Sequence, residues 1–246
     1  MKHLFFQACK TVILTTTTLI SATTQAAPST PPSARATGGQ PQASALPHVT
    51  IDLAQHHVDL DATVVLRQGG WLELLACTPQ TRTHESILVV HAKPSHVHLA
   101  MKLLGLEPGA PRRWRLVEGE YQAQPAHGPK VAVDILWQPA DGGPVTVGAH
   151  QWIIDRTTGD VLKDNIWIFT GSSFDESRDP PVYRADVEGS VLSLVHFGDE
   201  VLARDTHQTN QTDGKAIGPN TDQIPGVGTR VKIRLRPLPK PDERSP

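Results

Sequence analysis

Hydrophobic and polar positions alternate along most of this chain, and a period of two predicts strands. Val49–Leu53 and Val58–Leu66 alternate in this way, and Gln68-Gly69-Gly70 turns the chain into Trp71. Leu72, Leu74 and Ala76 then alternate with Glu73 and Leu75 until Thr78-Pro79 ends the run. Gln80–Thr83 is polar and reads as a turn. Ile87–Val90 is a β-branched run with the length of a buried strand.

The period then changes. Pro94 and Ser95 supply a helix start, and Gly105 with Pro108 supplies a stop. Val97, Ala100, Met101 and Leu104 fall at i, i+3, i+4 and i+7 and share one face. Leu99 and Leu103 lie on another, leaving His98 and Lys102 as a polar stripe. Apolar residues on two sides predict a buried helix over 94–104, the central packing element of the domain. Its neighbourhood, Trp71–Gly109, is the stretch around which the chain is expected to organise.

Downstream, Pro108–Pro111 breaks the pattern and Arg112-Arg113-Trp114-Arg115 reads as a solvated turn anchored by one aromatic. Val131, Val133, Ile135 and Trp137 share a strand face. Asp141-Gly142-Gly143 turns into a strand over Val145–Ile154, and Thr157–Asp160 turns into another over Val161–Phe169. Trp137, Trp152 and Trp167 are expected to pack in the core or at its rim. Thr170–Ser173 closes that run, Asp179-Pro180-Pro181 enforces extended chain, and Ser190–Phe197 is a further apolar strand. Asp205–Gly226 has no periodicity, and a loop of that length is expected to be a lid or a partner-binding arm. Its Asn210, Asp213, Asn220 and Asp222 are the candidate binding residues. Finally Val231, Ile233 and Leu235 alternate with Lys232, Arg234 and Arg236. A strand with one charged face is expected at a sheet edge, where charge discourages further pairing. Many short strands and one principal helix predict an α+β fold, a mainly antiparallel sheet or meander covered by the helix at 94–104.

The segment ACTPQTRTHESILVVHAKPSHVHLAMKLLGLEPG resembles the signature of the YdjY-type family of exported bacterial proteins, and TGSSF, DVEGSVLSLVHF and NTDQIPGVGT are similar to the same family. The resemblance covers about Val49 to Pro237. It implies export and a single domain, and it carries over no catalytic residue.

At 246 residues the chain suits one such domain with trimmings. Lys2 and Lys10, an apolar stretch over Thr11–Ala22 and small residues at Thr24-Gln25-Ala26 form the pattern of a signal peptide over 1–26, cleaved after Ala26 or Ala27. That apolar stretch is too short to span a bilayer, so no transmembrane segment is expected in the mature chain. Residues 27–47, rich in Pro, Ser, Ala, Thr, Gly and Gln, cannot bury a core and read as a disordered spacer. The expected domain is 48–237 and the expected disordered tail 238–246. A formal net charge of -2 gives no reason to expect nucleic acid or an anionic membrane surface as partner.

Cys9 lies in the leader, so Cys77 is the one expected mature thiol. Cys77, His84 and His96 are residue types that ligate zinc or copper, and a divalent metal is the cofactor they would imply. His96 and His98 point some 200° apart on a helix, so both cannot face one ion. Without a metal, Cys77 and His84 are the candidate catalytic dyad, although a cysteine at a strand end gains nothing there to lower its pKa. Thr170-Gly171-Ser172-Ser173-Phe174 resembles a nucleophile elbow only superficially. No phosphate loop, dinucleotide fingerprint or haem-attachment motif is present. These readings favour an exported, non-enzymatic binding or assembly module, periplasmic or extracellular, with a protein or small-molecule partner in the envelope. The alternative is a metal- or thiol-dependent envelope enzyme using Cys77 and His84.

Overall fold

The computed structural model describes residues 46–204 and 216–239. Strands follow the alternation closely. They are β1 (Val49–Asp52), β2 (His57–Val64), β3 (Leu74–Cys77) and β4 (Ser86–Val90), followed by helix α1 (Pro94–Leu103). Next come β5 (Arg113–Val117), β6 (Glu120–Gln124), β7 (Lys130–Trp137), β8 (Val145–Gly148), β9 (Ile153–Asp155) and β10 (Trp167–Phe169). The last elements are β11 (Phe174–Asp175), β12 (Val182–Tyr183), the short helix α2 (Arg184–Glu188), β13 (Ser190–Ser193), β14 (Leu202–Arg204), β15 (Ile217–Pro219) and β16 (Arg230–Pro237). The long strands expected at 145–154, 161–169 and 190–197 are each cut short, the first by a 3-10 turn at Ala149–Trp152.

Eight strands close into a barrel in the order β2-β16-β7-β10-β14-β13-β3-β4 and back to β2. β2 joins the two ends: its first half pairs with β1 and its second half with β4. Most pairs are antiparallel, as expected, but β3–β4 and β13–β14 are parallel. These two are joined by residues 78–85 and 194–201, short for parallel connections. The fold is therefore mostly β with little helix. The α+β expectation holds only as a mainly antiparallel sheet with one principal helix.

The barrel interior is filled by the inward half of each alternation. Val58, Leu60, Ala62 and Val64 of β2, Val131, Val133 and Ile135 of β7, and Val231, Ile233 and Leu235 of β16 are all buried in one core. Trp152, Trp167 and Phe169 belong to it too, and half-buried Trp137 leans on Trp152 with centroids 5.7 Å apart.

β16 corrects the sequence reading most sharply. It is a central strand, paired along its length with β2 on one side and β7 on the other. Its charged face does not block pairing because the neighbouring strands carry matching carboxylates. Lys232 bonds to Asp61 at 2.9 Å, Arg234 holds both oxygens of Asp59 at 2.7 and 2.8 Å, and Arg236 bonds to Asp134 at 2.7 Å. Cross-strand opposite charges stabilise a sheet, where unmatched ones would have repelled a partner.

α1 buries Pro94, and its Val97, Ala100 and Met101, with Leu104 just after it, join the barrel core. The expectation of burial on both sides fails, because Leu99 is 45% and Leu103 56% exposed. His98 fails it in the opposite sense. Rather than joining a polar stripe, its Nδ1 lies 3.0 Å from the Gly171 carbonyl and 3.0 Å from the Tyr183 hydroxyl, with its ring edge-on to Phe169. Gly171 adopts a φ of +78°, and a Cβ there would collide with Pro108. Arg112–Arg115 is likewise no turn. It leads into the exposed hairpin β5–β6, which leaves Trp114 58% exposed instead of anchored.

The expected signal peptide, the expected spacer up to residue 45 and the expected tail beyond residue 239 lie outside the described residues. Among the described residues no helix is long and apolar enough to cross a membrane.

The two leucines at the end of α1 test this burial pattern. Leu104→Ala is expected to cost about 2–5 kcal/mol and Leu103→Ala about 0.5 kcal/mol or less in urea denaturation. Equal losses would restore the fully buried helix.

Candidate functional site

The residues singled out for chemistry do not converge. Cys77 is fully buried in a small apolar cluster with Leu74, Val89, Val65 and Phe197. Burial pushes its thiol above the ordinary value, although hydrogen bonds with Ser86 and Thr81 and the charge of Arg82 work the other way. That is the opposite of an activated thiolate. The His84 side chain is 73% exposed and pairs with Glu85 at 3.2 Å. His96 sits on α1 with its Nδ1 buried and without a hydrogen-bond partner among the described residues. Among the described residues no three His, Cys, Asp or Glu side chains stand where they could hold one metal ion, so Cys77, His84 and His96 form no ligand set there.

Part of the stretch expected as a binding loop is strand. Asn210 and Asp213 lie outside the described residues. Ile217–Pro219, inside the same stretch, is strand β15 paired with β9. Asn220 donates its amide to the Gln151 carbonyl at 2.8 Å, Arg67 donates to the Thr221 carbonyl at 2.8 Å, and Asp222 is exposed.

Two polar arrangements escaped the sequence reading. The first joins the two short parallel connections. The Arg82 guanidinium lies 4.0 Å over the Phe197 ring, donates to the Ser190 hydroxyl at 3.1 Å, and stands 3.9 Å from both Asp199 and Glu188. Next to it the fully buried Glu200 accepts backbone N–H bonds from Phe197, Gly198 and Asp199 at 3.1, 2.7 and 3.0 Å, and its other oxygen meets His196 Nδ1 at 3.1 Å. A buried carboxylate needs such saturation. The Ser172 hydroxyl donates to the Asp199 carbonyl at 2.6 Å, and the Thr170 hydroxyl donates to the Glu200 carbonyl at 2.7 Å. The TGSSF segment therefore braces this connection, with the Thr170 and Ser172 hydroxyls committed to its carbonyls. At the edge of the cluster, burial raises the Glu73 carboxyl to about 7, helped by its hydrogen bond with Glu85 and that neighbour's charge, with Arg82 opposing.

The second arrangement is open to solvent. A cavity of about 480 Å³ is lined by His48, Asp61, Thr63, His91 and Arg230. A second, of about 360 Å³, shares Asp61, Arg230 and Val231 with it and continues to Leu136, Trp137 and Val145. A third, of about 290 Å³, shares His91 and continues to Thr78, Gln80 and Lys93. Shared lining residues make these cavities adjoin as one groove. Within it the His48 and His91 rings are 5.6 Å apart, and His91 Nε2 lies 2.9 Å from the Thr63 hydroxyl. Asp61 contacts Lys232 and lies 3.5 Å from His48 Nδ1. Burial works to raise the Asp61 carboxyl, but Lys232 and His48 outweigh it and hold it below the ordinary value. Asp61, Thr63 and Arg230 are outward positions of alternating strands, but His48 and His91 lie outside the strands and Trp137 shares the inward face of β7, so nothing local tied them together.

Residues 49–236 match the family model of the YdjY domain. No curated protein and no solved structure matches the chain.

The Glu73 carboxyl gives a pH test. Its folded pKa lies above the ordinary value of 4.5, so the folded chain keeps a proton that the unfolded chain releases, and this contribution to stability is lost as the pH rises from 4.5 through about 7. Thermal melts across that window are expected to fall less steeply for Glu73→Gln than for the parent chain. Parallel curves would show that Glu73 does not titrate there.

Proposed function

The chain belongs to the YdjY family, and we propose that it is an exported, non-enzymatic binding module that holds a small-molecule ligand in the groove described above. The observation that carries this reading is that three adjoining cavities share lining residues beside one half-buried tryptophan and an array of polar side chains. Ligand sites are concave, of several hundred Å³, and combine an apolar wall with a few placed polar groups. Leu136, Trp137 and Val145 supply the wall, and His48, Asp61, His91 and Arg230 supply the polar groups. The buried Cys77 thiol and the exposed His84 give the thiol-enzyme alternative no comparable support. Export is supported by the basic and apolar pattern of residues 1–26.

A fragment screen read by amide and methyl shifts tests the groove. Bound fragments are expected to perturb Thr63, Thr146 and Val231 together, and shifts gathered around Cys77 and His84 would favour the enzyme instead. Export is tested by the intact mass of protein recovered from outside the cytoplasm. The expected chain begins at Ala27 or Pro28, and one retaining Met1–Gln25 would contradict the reading.

A further inference from the structure

The outward face of β16 carries four cations, and three of them are matched. Lys232 faces Asp61, Arg234 faces Asp59, and Arg236 reaches Asp134 on β7. Arg230 is the odd one. Its cross-strand neighbour is Thr63, a neutral residue, and among the described residues its guanidinium has no ion-pair or hydrogen-bond partner. This unmatched charge stands where the two largest cavities of the groove meet, since Arg230 lines both. On one side of it are the paired imidazoles of His48 and His91. On the other is the apolar wall of Leu136, Trp137 and Val145. The single acid lining either cavity is Asp61, which is already engaged by Lys232 and His48.

We propose that this junction binds a small amphiphilic anion, with its carboxylate or phosphate on Arg230 beside His48 and His91 and its apolar ring or chain along Trp137. The proposal rests on the groove reading of the preceding section and adds the chemistry of the ligand. A guanidinium presents a rigid fork of donors that matches a carboxylate or phosphate through two parallel bonds. A neutral apolar ligand filling both cavities would strip water from Arg230 and return nothing for it, and an uncompensated desolvated charge is costly. An anion without an apolar body would leave the tryptophan wall unused. The combination of a free cation and an adjoining apolar wall selects for both parts at once.

The test is calorimetric titration of the whole chain with 2-naphthyl phosphate, 2-naphthoate, 2-naphthol and inorganic phosphate. The two aromatic anions are expected to bind at least tenfold more tightly than either 2-naphthol or inorganic phosphate. Arg230→Gln, at an exposed position, is expected to abolish that advantage over 2-naphthol while leaving 2-naphthol binding in place, which also shows that the variant is folded. Asp61→Asn removes the one acid of the junction and frees Lys232, so it is expected to strengthen binding of both anions several-fold. General destabilisation would not produce such a gain. Equal binding of 2-naphthol and the anions, with loss on Trp137→Ala, would overturn the anion proposal and leave the groove reading standing. Anion binding unchanged in Arg230→Gln would overturn it as well. Probes that bind without moving the Thr63 and Thr146 resonances would overturn the groove reading along with the proposal.

Discussion

Closure of the barrel depends on β16 lying between β2 and β7. Each strand of a sheet must place two rows of backbone donors and acceptors, and an unfilled row is an open edge. Without β16, β2 and β7 would both end as edges and the core of Val58, Leu60, Val133 and Ile135 would face solvent along one side. Its apolar half, Val231, Ile233 and Leu235, seals that core. Its charged half is accommodated because Asp59, Asp61 and Asp134 lie across from it. The Asp59 side chain is only 10% exposed, so its two bonds to Arg234 satisfy a carboxylate that burial would otherwise penalise.

The sequence made the local elements legible and left their partners hidden. Alternation located β2, β7 and β16 to within a residue or two, a β-branched run located β4, and Pro94 with Gly105 bracketed α1. Alternation says which face of a strand is buried, but not whether one neighbour or two lie beside it. For β16 the deciding residues are the carboxylates of strands far away in sequence, so a charged face read as an edge device turned out to be half of a charge ladder. The same limit hid the parallel pairs β3–β4 and β13–β14. On α1 the apolar count misled, since Leu99 and Leu103 are on the exposed side and His98 is held between Gly171 and Tyr183.

The candidate site shows the limit more strongly. Cys77, His84 and His96 are close in sequence and chemically able, but the fold buries the Cys77 side chain and exposes that of His84. The groove takes His48 from before β1, Asp61 and Thr63 from β2, His91 from after β4, Trp137 from β7 and Arg230 from the start of β16. No window of sequence contains more than two or three of these. They meet only because the barrel closes, so the fold is the site's real determinant.

The central position of β16 is therefore the claim on which both the fold and the groove rest. Hydrogen exchange of its backbone amides measures it directly, residue by residue, in the native state. A strand flanked on both sides should protect the amides of Val231, Ile233 and Leu235 and those of Lys232, Arg234 and Arg236 alike, at rates close to those of β7. Slow exchange at every second amide and fast exchange at the residues between them would mark an edge strand, and would contradict the closed barrel.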